Sequence, residues 1–280
     1  MTGVSTGSAG VPQGPRGAQR GGRLEYSLAV AAAWLNAFVF TSIWAAAAAG
    51  LLCMAASVSM GLGPSCLAAS LASAGTLVIY NLDHLRDLER DRSTTPTRSA
   101  FIRKHRSGVY VVTLMAGLAA LVLVSLAGPR VFVWLIPAGI LGVLHRRLKR
   151  LPYAKPVYVT MAWVSVVAGL PLSMGAGSVH TLWVVLVLSL SILANVIASN
   201  VRDKETAAAV TPRMALGFAR GVAACGFAVA LFAPDLVRPL GAVPLATLLS
   251  LFRTELSEWY GLVVVDGALV VGALVALGMH

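Results

Sequence analysis

Residues 108–127 read GVYVVTLMAGLAALVLVSLA, twenty consecutive positions without a charge, bounded by Arg106 before and Arg130 after. The hydrocarbon core of a bilayer is about 30 Å thick, and a helix needs about 20 apolar residues to cross it. No water is present there to satisfy backbone N–H and C=O groups, so the segment must satisfy them internally, as a helix does. Outward from this run, further apolar stretches lie at about 36–59, 65–83, 130–146, 157–175, 179–199, 214–233, 236–252 and 260–279, each ended by charges or by Gly and Pro. Together they predict about nine transmembrane helices. The eighth is set off only by the short break Ala233-Pro234-Asp235-Leu236-Val237-Arg238-Pro239.

Composition supports the same class. Apolar residues make up 58% of the chain, charged residues 12%, and mean hydropathy is +0.80. Charges this sparse cannot cover the surface of a soluble fold of this size. The expected fold class is therefore all-α and polytopic, with two four-helix halves and a final helix around a central cavity. Residues 1–23 are rich in Gly, Ser, Thr and Pro and carry Arg16, Arg20 and Arg23, which reads as a disordered tail. Residues 24–280 read as one membrane domain, with 25–35 as an interfacial helix before the first span. The first apolar stretch is much longer than the apolar region of a signal peptide.

The net charge is +11, but the basic residues sit in short loops between apolar runs rather than on a soluble face, which argues against a nucleic-acid partner. Nineteen of the 22 fall on alternate loops and the tail, whereas Arg130 and Arg238 fall on the opposite loops. Lys and Arg accumulate on the cytoplasmic side of short loops. The expected topology has the N-terminus in the cytoplasm and His280 on the far side. Cys53, Cys66 and Cys225 lack metal-ligand spacing and read as small packing residues.

One acidic motif stands out where the second span leaves the membrane: Asp83-His84-Leu85-Arg86-Asp87-Leu88-Glu89-Arg90-Asp91. Its three aspartates recur every four residues, so on a continuing helix they share nearly one face, drifting by about 40° per step. Like charges at that spacing destabilise a helix by a few tenths of a kcal/mol each, about 0.2–0.5. Either the neighbouring arginines or a divalent cation must offset them. Mg²⁺ suits, because it takes oxygen ligands and binds through one or two carboxylates plus substrate phosphates. The same four-residue spacing recurs at the end of the sixth span in Asn195, Ser199 and Asp203, with Asn200, Arg202, Lys204 and Glu205 alongside. Two charges fall inside spans, Arg220 and Asp266, both at similar depth, which predicts an ion pair between them.

These motifs resemble those of the UbiA superfamily of intramembrane prenyltransferases. That family has nine helices, with aspartate-rich motifs after the second and sixth whose carboxylates hold Mg²⁺ and a prenyl diphosphate. Its first motif is written N-D-x-x-D-x-x-x-D; here Asp83 and His84 fill the first two places, and Asp87 and Asp91 are kept. Ser93 to Arg98 resembles the Arg/Pro-containing segment beyond it, Arg146 to Lys155 the diphosphate-binding loop, and Asp266-Gly267 an Asp-Gly of the last helix. The second motif, D-x-x-x-D in the family, departs from the pattern: its places hold Ser199 and Asp203.

The resemblance implies Mg²⁺-dependent transfer of a prenyl group to an aromatic or other lipophilic acceptor in the bilayer. It implies Asp83, Asp87, Asp91 and Asp203 as metal ligands and catalytic residues, with Arg98, Lys149, Arg150, Lys155, Arg202 and Lys204 on the diphosphate. His84, Asn195, Ser199, Asn200 and Glu205 are additional candidates, and Tyr80, Tyr158 and Trp163 are candidates to face an allylic cation. A UbiA-like terpene cyclase and a non-catalytic isoprenoid-binding homologue would use the same site. A transporter predicts polar groups spread through the membrane depth or broken helices near its middle, whereas the acids here cluster at one end.

Overall fold

The computed structural model describes residues 26, 30, 34–148, 154–204, 210–253 and 257–280, apart from the side chains of 137, 138 and 142–148. It divides into two compact units, Met1–Phe38 and Val39–His280. The expected tail, residues 1–23, lies outside the described residues, and the second unit carries everything below.

Among the described residues every regular element is helical. In chain order they are α1 (Ile43–Ser59), α2 (Cys66–Arg86), α3 (Leu88–Asp91), α4 (Pro96–Lys104), α5 (Arg106–Ala127), α6 (Arg130–Leu148), α7 (Ala154–Met174), α8 (Thr181–Arg202), α9 (Pro212–Phe232), α10 (Ala242–Ser250) and α11 (Glu258–Gly278). Six are long and apolar enough to cross a membrane: α2, α5, α7, α8, α9 and α11. A seventh results if α1 and the short helix Trp34–Phe40 before it form one bent span. The chain is thus an all-α protein with the build of a polytopic membrane protein.

Nine full-length spans are not what the described residues show. The apolar part of α6, Arg130–Leu141, is short. The expected eighth span is a 3₁₀ turn, Arg238–Gly241, followed by the nine residues of α10. At 1.5 Å per residue α10 covers about 14 Å, less than half a hydrocarbon core. Pro239 and Pro244 remove donors that a continuous helix would need there.

Packing follows a ring. The sequence of neighbours runs α5, α2, α1, α11, α10, α9, α8, α7 and α6, so the last helix closes against the first. α1 is rich in alanine, and Ala48, Ala49, Leu52, Cys53, Ala55 and Ala56 are buried in the main core. Small side chains let helices approach closely where no hydrophobic force in lipid would drive them together. At Gly50 a Cβ would sit 2.2 Å from Ser73 Oγ and 3.1 Å from the Ala69 carbonyl oxygen on α2, so the missing side chain lets the two helices approach closely there. By contrast α5 exposes Val111, Leu114, Met115, Leu118, Leu121 and Val122, an apolar stripe of the kind that faces lipid. Of the three cysteines only Cys53 packs inside; Cys66 and Cys225 are exposed.

Helix boundaries position the acidic motifs at one end of this ring. The Ser65 hydroxyl accepts from Ala68 N at 3.3 Å and starts α2, whose 21 residues then run about 31 Å to Arg86. α8 stops at Asp203, where Lys204 takes φ 55 and turns the chain.

Candidate functional site

The first motif bends but keeps its register. Asp87 N donates to Asp83 O and Asp91 N to Asp87 O, both at 2.9 Å, although α2 ends at Arg86 and α3 starts at Leu88. Asp83, His84, Asp87 and Asp91 are half-buried, whereas Arg86, Glu89, Arg90 and Arg92 are exposed. The aspartates therefore lie on the less exposed side of the motif and the charged residues interleaved with them on the more exposed side. A solvated helix bearing surface ion pairs would expose both.

Beyond Asp91 the chain folds back as α4. Thr95 N and Thr95 Oγ1 both donate to Asp91 O, at 2.7 and 3.2 Å. Arg98 on α4 is buried; its Nη2 donates to Thr95 Oγ1 at 3.2 Å and lies 3.7 Å from Asp91 Oδ2. His84 Nδ1 lies 3.7 Å from the same oxygen. The N-terminus of α4 is closed from the far end of the chain, where Glu258 accepts from Thr97 N at 3.2 Å and Arg98 N at 2.9 Å. A carboxylate there satisfies orphan donors and opposes the positive end of the helix dipole. Glu258→Ala is expected to loosen α4 by about 1 kcal/mol, or about fivefold in local opening. Tryptic cleavage between Arg92 and Arg106 in detergent should accelerate accordingly; an unchanged rate would show that the cap contributes nothing.

At the second motif the carboxylates are already paired. Arg202 Nε and Nη2 donate to the two oxygens of Asp203 at 2.8 and 3.2 Å, and Nη1 donates to Asp266 Oδ2 at 3.0 Å. Ser199 Oγ donates to the other oxygen of Asp266 at 3.2 Å. Asn195 Nδ2 donates to Val265 O at 2.9 Å, which makes it a brace to α11, and Asn200 is buried. The expected Arg220–Asp266 pair is not formed. Arg220 Nε donates instead to Leu251 O at 2.8 Å, satisfying a carbonyl left open at the end of α10. Asp266 follows a π-helical stretch, Gly261–Val265, that turns it toward α8.

Electrostatics joins the two motifs into one corner. Burial raises the proton affinity of Asp203, but the charge and hydrogen bonds of Arg202, with Arg98 and Lys155 behind them, hold its pKa at about 2. Arg98 is lowered by burial and by Arg202, against the pull of Asp203, Asp91 and Glu258. Arg98 thus senses both motifs and the last helix at once. One turn deeper, Trp163 Nε1 donates to Tyr80 OH at 2.8 Å, with the rings 6.1 Å apart and nearly perpendicular. Tyr80 also meets His84 edge-on at 6.3 Å, and Tyr158 is buried on the same helix as Trp163.

The structure therefore brings together Asp91, Arg98, Lys155, Arg202 and Asp203, with His84 and Ser199 beside them. Lys204 is exposed at the rim. Lys149, Arg150 and Glu205 lie outside the described residues. Glu258, Thr95 and Gly261 are constituents that sequence spacing does not reveal. Asp266 was visible as a charge inside a span, but its partner was not.

The donor set distinguishes the motifs as places for Mg²⁺. Among the described residues no three His, Cys, Asp or Glu groups stand close enough to hold a metal ion by themselves. Mg²⁺ keeps several waters and usually needs only one or two carboxylates plus phosphate oxygens. The half-buried aspartates of the first motif fit that mode. The second does not, because a guanidinium holds both oxygens of Asp203. A pocket of about 470 Å³ lined by Ser65, Leu126, Arg130 and Met174 opens at the opposite end of the ring, away from the acids. In comparisons with known proteins, no family model, curated protein or solved structure matches the chain.

Proposed function

We propose that the chain is a UbiA-like intramembrane enzyme that transfers a prenyl group from a prenyl diphosphate to an aromatic or other lipophilic acceptor, with Mg²⁺ at the acidic corner. Arg98 carries the reading. It is a buried guanidinium between the two motifs, and its Nε–H has no partner. A buried donor left unpaired costs about 1–3 kcal/mol, and a phosphate oxygen is the partner that a planar guanidinium fits best. Arg202 and Lys155 nearby add positive charge, so the corner suits an anion as well as a cation. The reading takes α6 and the Arg238–Ser250 segment as crossings, which gives nine passes and places the corner on the cytoplasmic side.

Mg²⁺ held by one or two of Asp83, Asp87 and Asp91 and completed by water and diphosphate oxygens would neutralise the charge that develops on a departing diphosphate. Arg98 and Lys155 would grip its oxygens, with Lys204 at the rim and Lys149 and Arg150, outside the described residues, as further candidates from the sequence. The bond from the first prenyl carbon to oxygen breaks, and its electron pair leaves with the diphosphate. The allylic cation that remains faces Tyr80 and Trp163, whose rings stabilise a desolvated cation by about 1 kcal/mol or more. A nucleophilic carbon of the acceptor bonds to it and releases a proton.

The test is Mg²⁺-dependent diphosphate release by the detergent-purified protein from a panel of prenyl diphosphates, with and without aromatic acceptors. Release is expected, and Asp87→Ala should lower it about 100-fold or more. No release from the wild type would overturn the enzyme reading, and release indifferent to Asp87→Ala would overturn the site. A cyclic hydrocarbon made without acceptor would replace the transferase by a cyclase.

A further inference from the structure

We infer that Arg202 is the resident cation of the second acidic motif: its guanidinium stands where two converging carboxylates would otherwise hold a divalent ion. The motif therefore binds no metal, and divalent ions are confined to the first motif.

Three observations carry this. The first is the geometry of the fork. Nε and Nη2 engage both oxygens of Asp203, Nη1 engages Asp266, and the Arg202 side chain is only 7% exposed. The carboxylates of Asp203, next to Arg202 in sequence, and of Asp266, 64 residues from Arg202, thus aim at one point, and that point is filled by protein. The second is the cradle. A Cβ at Gly261 would lie 2.3 Å from Arg202 Cδ and 3.1 Å from Cγ, so the chain has a bare backbone where the arginine stem passes. The third is Ser199, which carries no charge of its own but donates to Asp266 at 3.2 Å and helps fix that carboxylate against the guanidinium.

The charge balance gives the consequence. Two carboxylates with one guanidinium carry a net −1, and both oxygens of Asp203 are already in charge-assisted hydrogen bonds. A divalent ion would have to displace an arginine that is buried, doubly paired and unable to lose its proton. Without the arginine the same half-buried pocket would carry −2 on hard oxygen donors, the ligand type that Mg²⁺ and Mn²⁺ prefer.

The inference deepens the proposed function and rests on it only for expecting metal at the first motif; the measurement is a count of bound ions and needs no turnover. Mn²⁺ binding to the detergent-purified full chain, followed by loss of the free-ion electron paramagnetic resonance signal, should rise by one ion per chain in Arg202→Gln. The added ion should vanish in Arg202→Gln/Asp266→Asn. Millimolar Mn²⁺ should also raise the melting temperature of Arg202→Gln more than that of the wild type. A folded Arg202→Gln that binds no more Mn²⁺ than wild type would overturn the inference. Asp266→Asn in the wild-type background keeps the test decisive even if Arg202→Gln misfolds: its Mn²⁺ count should equal that of wild type, and loss of an ion would show that the second motif holds metal after all. Failure of diphosphate release would leave these counts untouched.

Discussion

Asp266→Ala is expected to destabilise the protein by about 3 kcal/mol, near the lower end of the cost of breaking a buried ion pair. The change strips Arg202 of one of its two acids and leaves the Ser199 hydroxyl without its acceptor. Asp266 is 26% exposed, so water compensates part of the loss, while the 7% exposed Arg202 keeps only Asp203. A double-mutant cycle makes the partner identifiable. Coupling between Asp266 and Arg202 should be about 1–3 kcal/mol, whereas Asp266 and Arg220, which share no contact, should behave additively to within about 0.5 kcal/mol. Melting curves in one detergent suffice for the comparison. An unchanged melting temperature in Asp266→Ala would mean that the pair contributes no net stability.

Gly261→Ala is the second large effect, and it adds only a methyl group. The new Cβ would overlap the middle of the Arg202 side chain, at Cδ and Cγ, rather than a mobile tip. The tip cannot easily move to relieve it, since three hydrogen bonds pin the guanidinium. Overpacking of this kind costs about 1–3 kcal/mol. The diagnostic is a non-additive double mutant. Once Asp266 is already alanine the arginine has somewhere to go, so Gly261→Ala should cost measurably less there. If the two costs simply add, Arg202 does not transmit the clash.

The class of fold was legible because membrane insertion imposes a coarse rule: runs such as 108–127 are uncharged over the length a bilayer demands. The finer count is carried only in part: six helices, or seven with the bent pair, have the length and hydropathy of a span among the described residues. Residues 236–252 are apolar enough for a span, but Pro239 and Pro244 break their backbone, and hydropathy does not register a missing N–H. At the first motif the four-residue spacing of Asp83, Asp87 and Asp91 keeps its helical register, since the bend preserves the i→i+4 bonds. Sequence position misassigned the partner of Asp266 because depth along a span says nothing about direction around it. Arg220 lies on α9, facing the C-terminal end of α10, and donates to a carbonyl there. Glu258 was invisible for a related reason: its partners are backbone N–H groups 160 residues away, which have no sequence signature.

The π-helical stretch Gly261–Val265 works as a shim in the last helix. In a regular helix the eight steps from Glu258 to Asp266 would leave the two acids about 80° apart around the axis. One extra residue in a turn takes back roughly 100°, bringing them within about 20° of one line. Glu258 can then fasten the start of α4 while Asp266 meets the end of α8, so a single strut clamps both acidic motifs from the same side. Shortening that turn by one residue would force the helix to release one grip or the other.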